Sequence, residues 1–166
     1  MKPPPIPVER ILALEPACLR MTIPEAYRDG NGHMNVRWYA AIFDEAGDPL
    51  HVRLGLTPKF HRDNGTGTMD LENHLNYLHE VIPGEGIAVF ARLVARSTKR
   101  MHYVMFMVNE TRGKLAATFE CINAFADLKV RKTAPFPPEI AAKLEAEVAA
   151  GAALDWPPPL CGAMRA

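Results

Sequence analysis

Tyr39-Ala40-Ala41-Ile42-Phe43-Asp44-Glu45-Ala46-Gly47-Asp48-Pro49-Leu50 places its larger apolar groups at Tyr39, Ile42, Phe43, Ala46 and Leu50. That i, i+3, i+4, i+7, i+11 spacing puts them on one stripe of an α-helix and leaves the opposite side to acidic residues. Asn35, just upstream, suits the N-cap, because its side-chain oxygen can accept from an amide that the first turn leaves unbonded. Pro49 opposes the pattern. An interior proline removes a hydrogen bond and clashes with the carbonyl four residues back, so a kink or an early end is expected near residues 45–48.

Working outward, residues 17–23 read as a short strand closed by Pro24, and the first seven residues, with four prolines, as a loose arm. Downstream, residues 68–81, 86–95, 101–108 and 115–125 are apolar or mixed runs of strand character. Turn-forming stretches at 83–86, 97–100 and 109–114 separate them. These links are too short for parallel crossovers, so an antiparallel meander is expected. A second helix is expected from Pro138 to about Ala150, with Ile140, Leu144 and Val148 on its apolar side and Gly151 as its stop. The tail around Trp156-Pro157-Pro158-Pro159 reads as a strap or a disordered end. The fold class is α+β: a long helix with an antiparallel sheet of about five strands, plus a C-terminal helix. The expected divisions are an arm (1–16), a main domain (17–135) and a C-terminal helix and tail (136–166). One helix covers one face of such a sheet, so the exposed edge calls for a homodimer or homotetramer.

Bulk properties exclude several functions. Nineteen acidic residues balance nineteen basic ones over 166 residues, so the basic footprint of a nucleic-acid binder is missing. No run approaches the roughly 18 apolar residues of a membrane span, and the start lacks a signal-peptide pattern. Cys18, Cys121 and Cys161 form an odd, widely spaced set, which fits a reducing, cytoplasmic setting better than a disulfide scaffold.

The reactive side chains narrow the chemistry further. Ser97, the only serine, lies in a basic turn and not in a nucleophile elbow. Cys18 and Cys121 fall in apolar runs where a thiol is usually packing. The six histidines show no metal-ligand spacing, and neither Gly30-Asn31-Gly32 nor Gly65-Thr66-Gly67 completes a dinucleotide fingerprint. No metal and no cofactor are expected. What remains is Asp29, on the turn Asp29-Gly30-Asn31-Gly32-His33, a few residues before the free amides near Asn35 and Val36. Such amides carry the positive end of the helix dipole and can hold an oxyanion. A carboxylate and an oxyanion donor within seven residues suit attack on a thioester carbonyl. The alternative is that Asp29 only completes its turn.

The stretch Asp29-Gly30-Asn31-Gly32-His33-Met34-Asn35-Val36-Arg37-Trp38-Tyr39 resembles the D-x-x-G-H-x-N-x-x-x-Y signature of hotdog-fold thioesterases of the 4-hydroxybenzoyl-CoA thioesterase type. Phe43-Asp44-Glu45-Ala46 is similar to the acidic helix stretch that follows there. A narrower likeness to betainyl-CoA thioesterases runs through Thr68-Met69-Asp70-Leu71-Glu72-Asn73-His74-Leu75-Asn76-Tyr77-Leu78-His79-Glu80. Lys99-Arg100-Met101-His102 and Thr133-Ala134-Pro135-Phe136-Pro137-Pro138 echo the same group. At residues 121–127 the chain departs from it, with Ala124-Phe125-Ala126-Asp127 where a histidine-containing strand end is expected. The resemblance implies a hotdog fold and hydrolysis of a small acyl-CoA. It implies Asp29 as nucleophile or base for water, with the amide near Val36 polarising the carbonyl. Glu45 is an alternative acid/base. A hydro-lyase or a non-catalytic acyl-thioester binder on the same fold is the competing reading.

Further candidates follow from position. Glu72, His74 and Asn76 alternate along one strand face, where His74 can serve a site and Glu72 and Asn76 can line a partner's pocket. His33 and Asn35 shape the turn and cap the helix. Arg96, Lys99 and Arg100 crowd one hairpin and can grip coenzyme A phosphates, although a solvated turn explains them equally. Met101, Met105 and Met107 share a strand face expected to be core or acyl-pocket lining.

Overall fold

The computed structural model describes residues 6–166; the proline-rich beginning of the expected arm, residues 1–5, lies outside them. In chain order come α1 (Val8–Leu12), β1 (Leu19–Thr22), a 3-10 turn (Glu25–Tyr27), α2 (Val36–Arg53) and α3 (Pro58–Asn64). Then follow β2 (Thr66–Tyr77), β3 (Gly86–Arg96), β4 (Arg100–Asn109), β5 (Lys114–Asp127), β6 (Lys132–Thr133) and α4 (Pro138–Ala152). The links between β3, β4 and β5 are three and four residues long, which forces antiparallel neighbours. The sheet order is β1-β3-β4-β5-β2, with β6 paired to β5. β1 lies antiparallel to β3, Leu19 opposite Val89 and Thr22 opposite Gly86. This is the expected antiparallel sheet with one long helix and a C-terminal helix.

Two compact units divide the chain. Of the described residues, one holds 6–49, 75–91 and 105–119; the other holds 50–74, 92–104 and 120–166. In the first, Tyr39, Ile42, Phe43 and Ala46 are buried as the stripe requires. Phe43 stacks on Phe119 of β5 with ring centroids 5.2 Å apart. Ile23, Ile87, Val89, Met105 and Met107 complete that core. In the second, Leu50, Leu54, Leu93, Met101, Phe125, Ile140 and Leu144 are buried.

Pro49 does not end α2, which continues to Arg53. Pro49 and Glu45, whose carbonyl loses its donor, both lie on the exposed side of the helix, so water can take the vacated place. Leu50 and Leu54, both fully buried, anchor the final turn. Gly151 likewise is not a stop: α4 runs to Ala152. Its glycine is required by packing, since a Cβ there would stand 2.3 Å from the Leu93 carbonyl oxygen. Arg92 binds the same corner, donating to the Gly151 carbonyl at 2.7 Å and the Trp156 carbonyl at 2.8 Å.

α1 follows the seven residues expected to be a loose arm, within the stretch 1–16, and is held by buried Ile11. α3 has no buried residue to betray it by period. It is made by its ends: Thr57 Oγ1 accepts from the Phe60 amide, Pro58 occupies the first turn, and Gly65 closes with φ 65°. The tail is a strap and not a loose end, with Trp156 and Met164 buried. β2 is an edge strand, so Glu72 and His74, both exposed, meet none of the desolvation cost that a central strand would impose. Among the described residues no helix is long and apolar enough to cross a membrane.

Candidate active site

The turn preceding α2 is closed on itself by backbone bonds. The Asp29 amide donates to the His33 carbonyl at 2.8 Å, Gly32 donates to the Asp29 carbonyl at 3.2 Å, and Asn35 donates to Tyr27 at 2.9 Å. Arg28 and Met34 form a bridge across it. Gly32 adopts φ 91°, a left-handed conformation that a side chain would oppose. Arg28 Nη1 donates to the Gly32 carbonyl at 2.6 Å, and the rest of its guanidinium pairs with Glu25. Tyr27 stacks on Trp38 at 3.8 Å, so the 3-10 turn before Asp29 and the first turn of α2 are clamped together.

Inside this frame the Asp29 carboxylate is fixed through Oδ1, which accepts from the Asn31 amide at 2.8 Å and the His33 amide at 3.3 Å. The Asn31 amide, then those of His33 and Gly32 with the His33 ring, hold the carboxyl below its ordinary pKa of 3.8, against the opposing pull of desolvation. The His33 imidazole lies between two carboxylates, with Nδ1 3.7 Å from Asp29 Oδ1 and Nε2 3.4 Å from Glu80 Oε2. Glu80 also faces Arg112, which pairs with Glu85. The segment carrying Glu80 is tied to the turn by the Met34 amide, which donates to the Val81 carbonyl at 2.8 Å.

Asn35 caps α2: its Oδ1 accepts from the Arg37 amide at 3.1 Å, and its carbonyl accepts from Trp38 at 3.0 Å. At the first helical position the Val36 N–H has no intrahelical partner. The residue as a whole is 60% exposed. Glu45 is exposed on α2, nine residues beyond Val36 and hence roughly 13 Å along the axis.

The remaining candidates are divided between the two units. Asn76 lies in the first unit and donates to Thr118 at 3.5 Å. Glu72, His74, Arg96, Lys99 and Arg100 lie in the second unit. Arg96 pairs with Glu145 at 2.7 Å, Lys99 reaches the Thr133 carbonyl at 3.5 Å, and Arg100 is exposed. Burial pushes the Cys121 thiol far above its usual range, which leaves it as packing. Sequence reasoning missed Glu80 as a member of the turn. It is 47 positions from His33, and no local pattern links the two.

Residues 26–144 match the thioesterase-like superfamily. The chain belongs to that superfamily. This thioesterase is 33% identical over 135 residues to the betainyl-CoA thioesterase of Pseudomonas aeruginosa, covering 81% of this chain and 84% of that one. Its fold is also that of a Staphylococcus aureus protein solved in complex with CoA, at TM-score 0.80 and 23% identity, covering 89% of this chain and 93% of the other. A DHNA-CoA thioesterase of Staphylococcus aureus superposes at TM-score 0.68 with 21% identity, over 77% of this chain and 89% of its own. The thioesterase therefore has the hotdog fold and is a thioester hydrolase.

Proposed function

We propose that this thioesterase hydrolyses a small acyl-CoA to the free acid and CoA, with Asp29 as nucleophile or general base. The observation that carries this reading is the anchoring of Asp29. Its Oδ1 takes two amide hydrogen bonds, in the turn that leads into the capped start of α2. A carboxylate held ionised beside a helix N-terminus supplies attack on the thioester carbon. The Val36 N–H supplies charge stabilisation as the carbonyl oxygen becomes negative. His33, bridging Asp29 and Glu80, orients the carboxylate.

For the acyl group, likeness to a betainyl-CoA thioesterase over most of both chains favours one bearing a quaternary ammonium. Tyr77 is half exposed and meets Tyr39 edge-on at 5.1 Å, and an aromatic face attracts such a cation. Arg100 and Lys99 serve the CoA phosphates, with Arg96 partly neutralised by Glu145. The enzyme acts in the cytoplasm as a dimer or tetramer, without nucleic-acid or membrane partners. The test is thiol release from a panel of acyl-CoA substrates, with betainyl-CoA beside uncharged acyl groups of similar size. Preference for betainyl-CoA is expected. Equal turnover of the uncharged acyl groups overturns the cationic specificity, and release from none of the panel overturns the small-acyl reading.

A further inference from the structure

In the second unit, Glu120 on β5 lies 46 positions after His74 on β2, and Cys161 in the tail a further 41 positions on. An imidazole nitrogen, a carboxylate oxygen and Sγ of these three nevertheless lie within 4.8 Å of one another. Glu120 is buried, 2% exposed, and held from two sides. His102 Nε2 is 2.9 Å from its Oε1, and the Cys161 amide donates to its Oε2 at 2.6 Å. Each carboxylate oxygen has two lone pairs, so these contacts fix the group without exhausting it. His102, itself buried, stands behind Glu120 as an outer partner stands behind a metal-binding carboxylate.

We infer that His74, Glu120 and Cys161 bind a single zinc ion. Imidazole, carboxylate and thiolate together suit this borderline-soft cation, and calcium or magnesium would take oxygen donors instead. A thiolate and a carboxylate with a neutral imidazole balance the charge of the dication. Donors on tetrahedral zinc stand about 3.3–3.6 Å apart, given bonds of about 2.0–2.3 Å. The remaining approach, about 1 Å against that spacing, falls to His74 and Cys161, both exposed, while Glu120 is buried. Three protein ligands leave the fourth position to water. The ion then fastens the tail, already anchored by buried Trp156 and Met164, to β2 and β5. The proposed zinc binding does not depend on the Asp29 chemistry.

The test is titration of the full-length protein, freed of metal by chelator, with zinc alone against a chromophoric competitor. One zinc per chain and a rise in Tm are expected. Cobalt in its place should give a thiolate-to-metal charge-transfer band that Cys161→Ser abolishes. Cys161→Ser and His74→Asn, both surface changes, should each weaken zinc binding by more than about 100-fold, beyond the usual loss for an outer partner. His79→Asn alters another exposed histidine and should leave binding intact. Failure to bind one zinc per chain, wild-type affinity in either ligand variant, or an equal loss in His79→Asn overturns the site.

Discussion

Asp29→Asn retains the size and turn preference of the side chain and removes the charge. The Asn31 and His33 amides still find an oxygen, so the fold should hold. The amide can neither attack a thioester nor take a proton from water. General-base assistance is worth about 100- to 10,000-fold, so kcat should fall by at least the lower figure in steady-state thiol release. Activity within threefold of wild type in a folded variant removes Asp29 from the mechanism. The pH dependence has a definite sign. The carboxyl titrates below 3.8, so its ionised form is present above that value and is lost as pH falls through it. The acid limb of kcat/KM should therefore lie below about pH 4, the ordinary aspartate range. A limb centred near 6.5, the ordinary histidine value, removes the Asp29 carboxylate as the essential proton acceptor.

At the scale of elements, α4 and the β3–β4 hairpin each make one prediction. Ala is favoured over Gly inside a helix by about 1 kcal/mol, yet Gly151→Ala would place a methyl group 2.3 Å from the Leu93 carbonyl. That contact is with backbone, which cannot swing aside, so overpacking wins. A net loss of about 1–3 kcal/mol is expected in urea denaturation, and a stabilised variant shows that helix and strand separate easily. On the hairpin, Arg100 is exposed and Arg96 is engaged with Glu145. Arg100→Ala should raise KM for the acyl-CoA several-fold and leave the acyl-pantetheine reaction unchanged. An equal effect on both substrates refutes a phosphate contact. Both elements were legible in outline, from the period of Ile140 and Leu144 and from the turn residues 97–100. The role of Gly151 was not, because it depends on a carbonyl 58 positions away.

At the scale of the whole molecule, β2 is twelve residues long and stands at the end of the sheet order. Met69 and Leu71 on it are 61% and 46% exposed. A long edge strand that exposes apolar side chains is a template for another strand, and a second copy of the chain is the natural cover. Light scattering at micromolar concentration should give at least twice the 18.4 kDa of one chain. Leu71→Lys, which places a charge on that edge, should raise the monomer fraction. A wild-type particle of 18.4 kDa overturns the assembly.

By itself the sequence determined what local physics controls. The stripe from Tyr39 to Leu50, the cap at Asn35, the short strand links and the folded turn at Asp29 each depend on residues within about a dozen positions. Periodicity and backbone preference act at that range. Tertiary structure decided the rest. Pro49 is carried inside α2 because Leu50 and Leu54 are buried and Glu45 faces water. His33 meets Glu80, and His74 meets Glu120 and Cys161, because strand order and tail path bring distant positions together. No local pattern encodes those distances, since a contact across the sheet is fixed by which strands pair and not by the spacing of residues along any one of them.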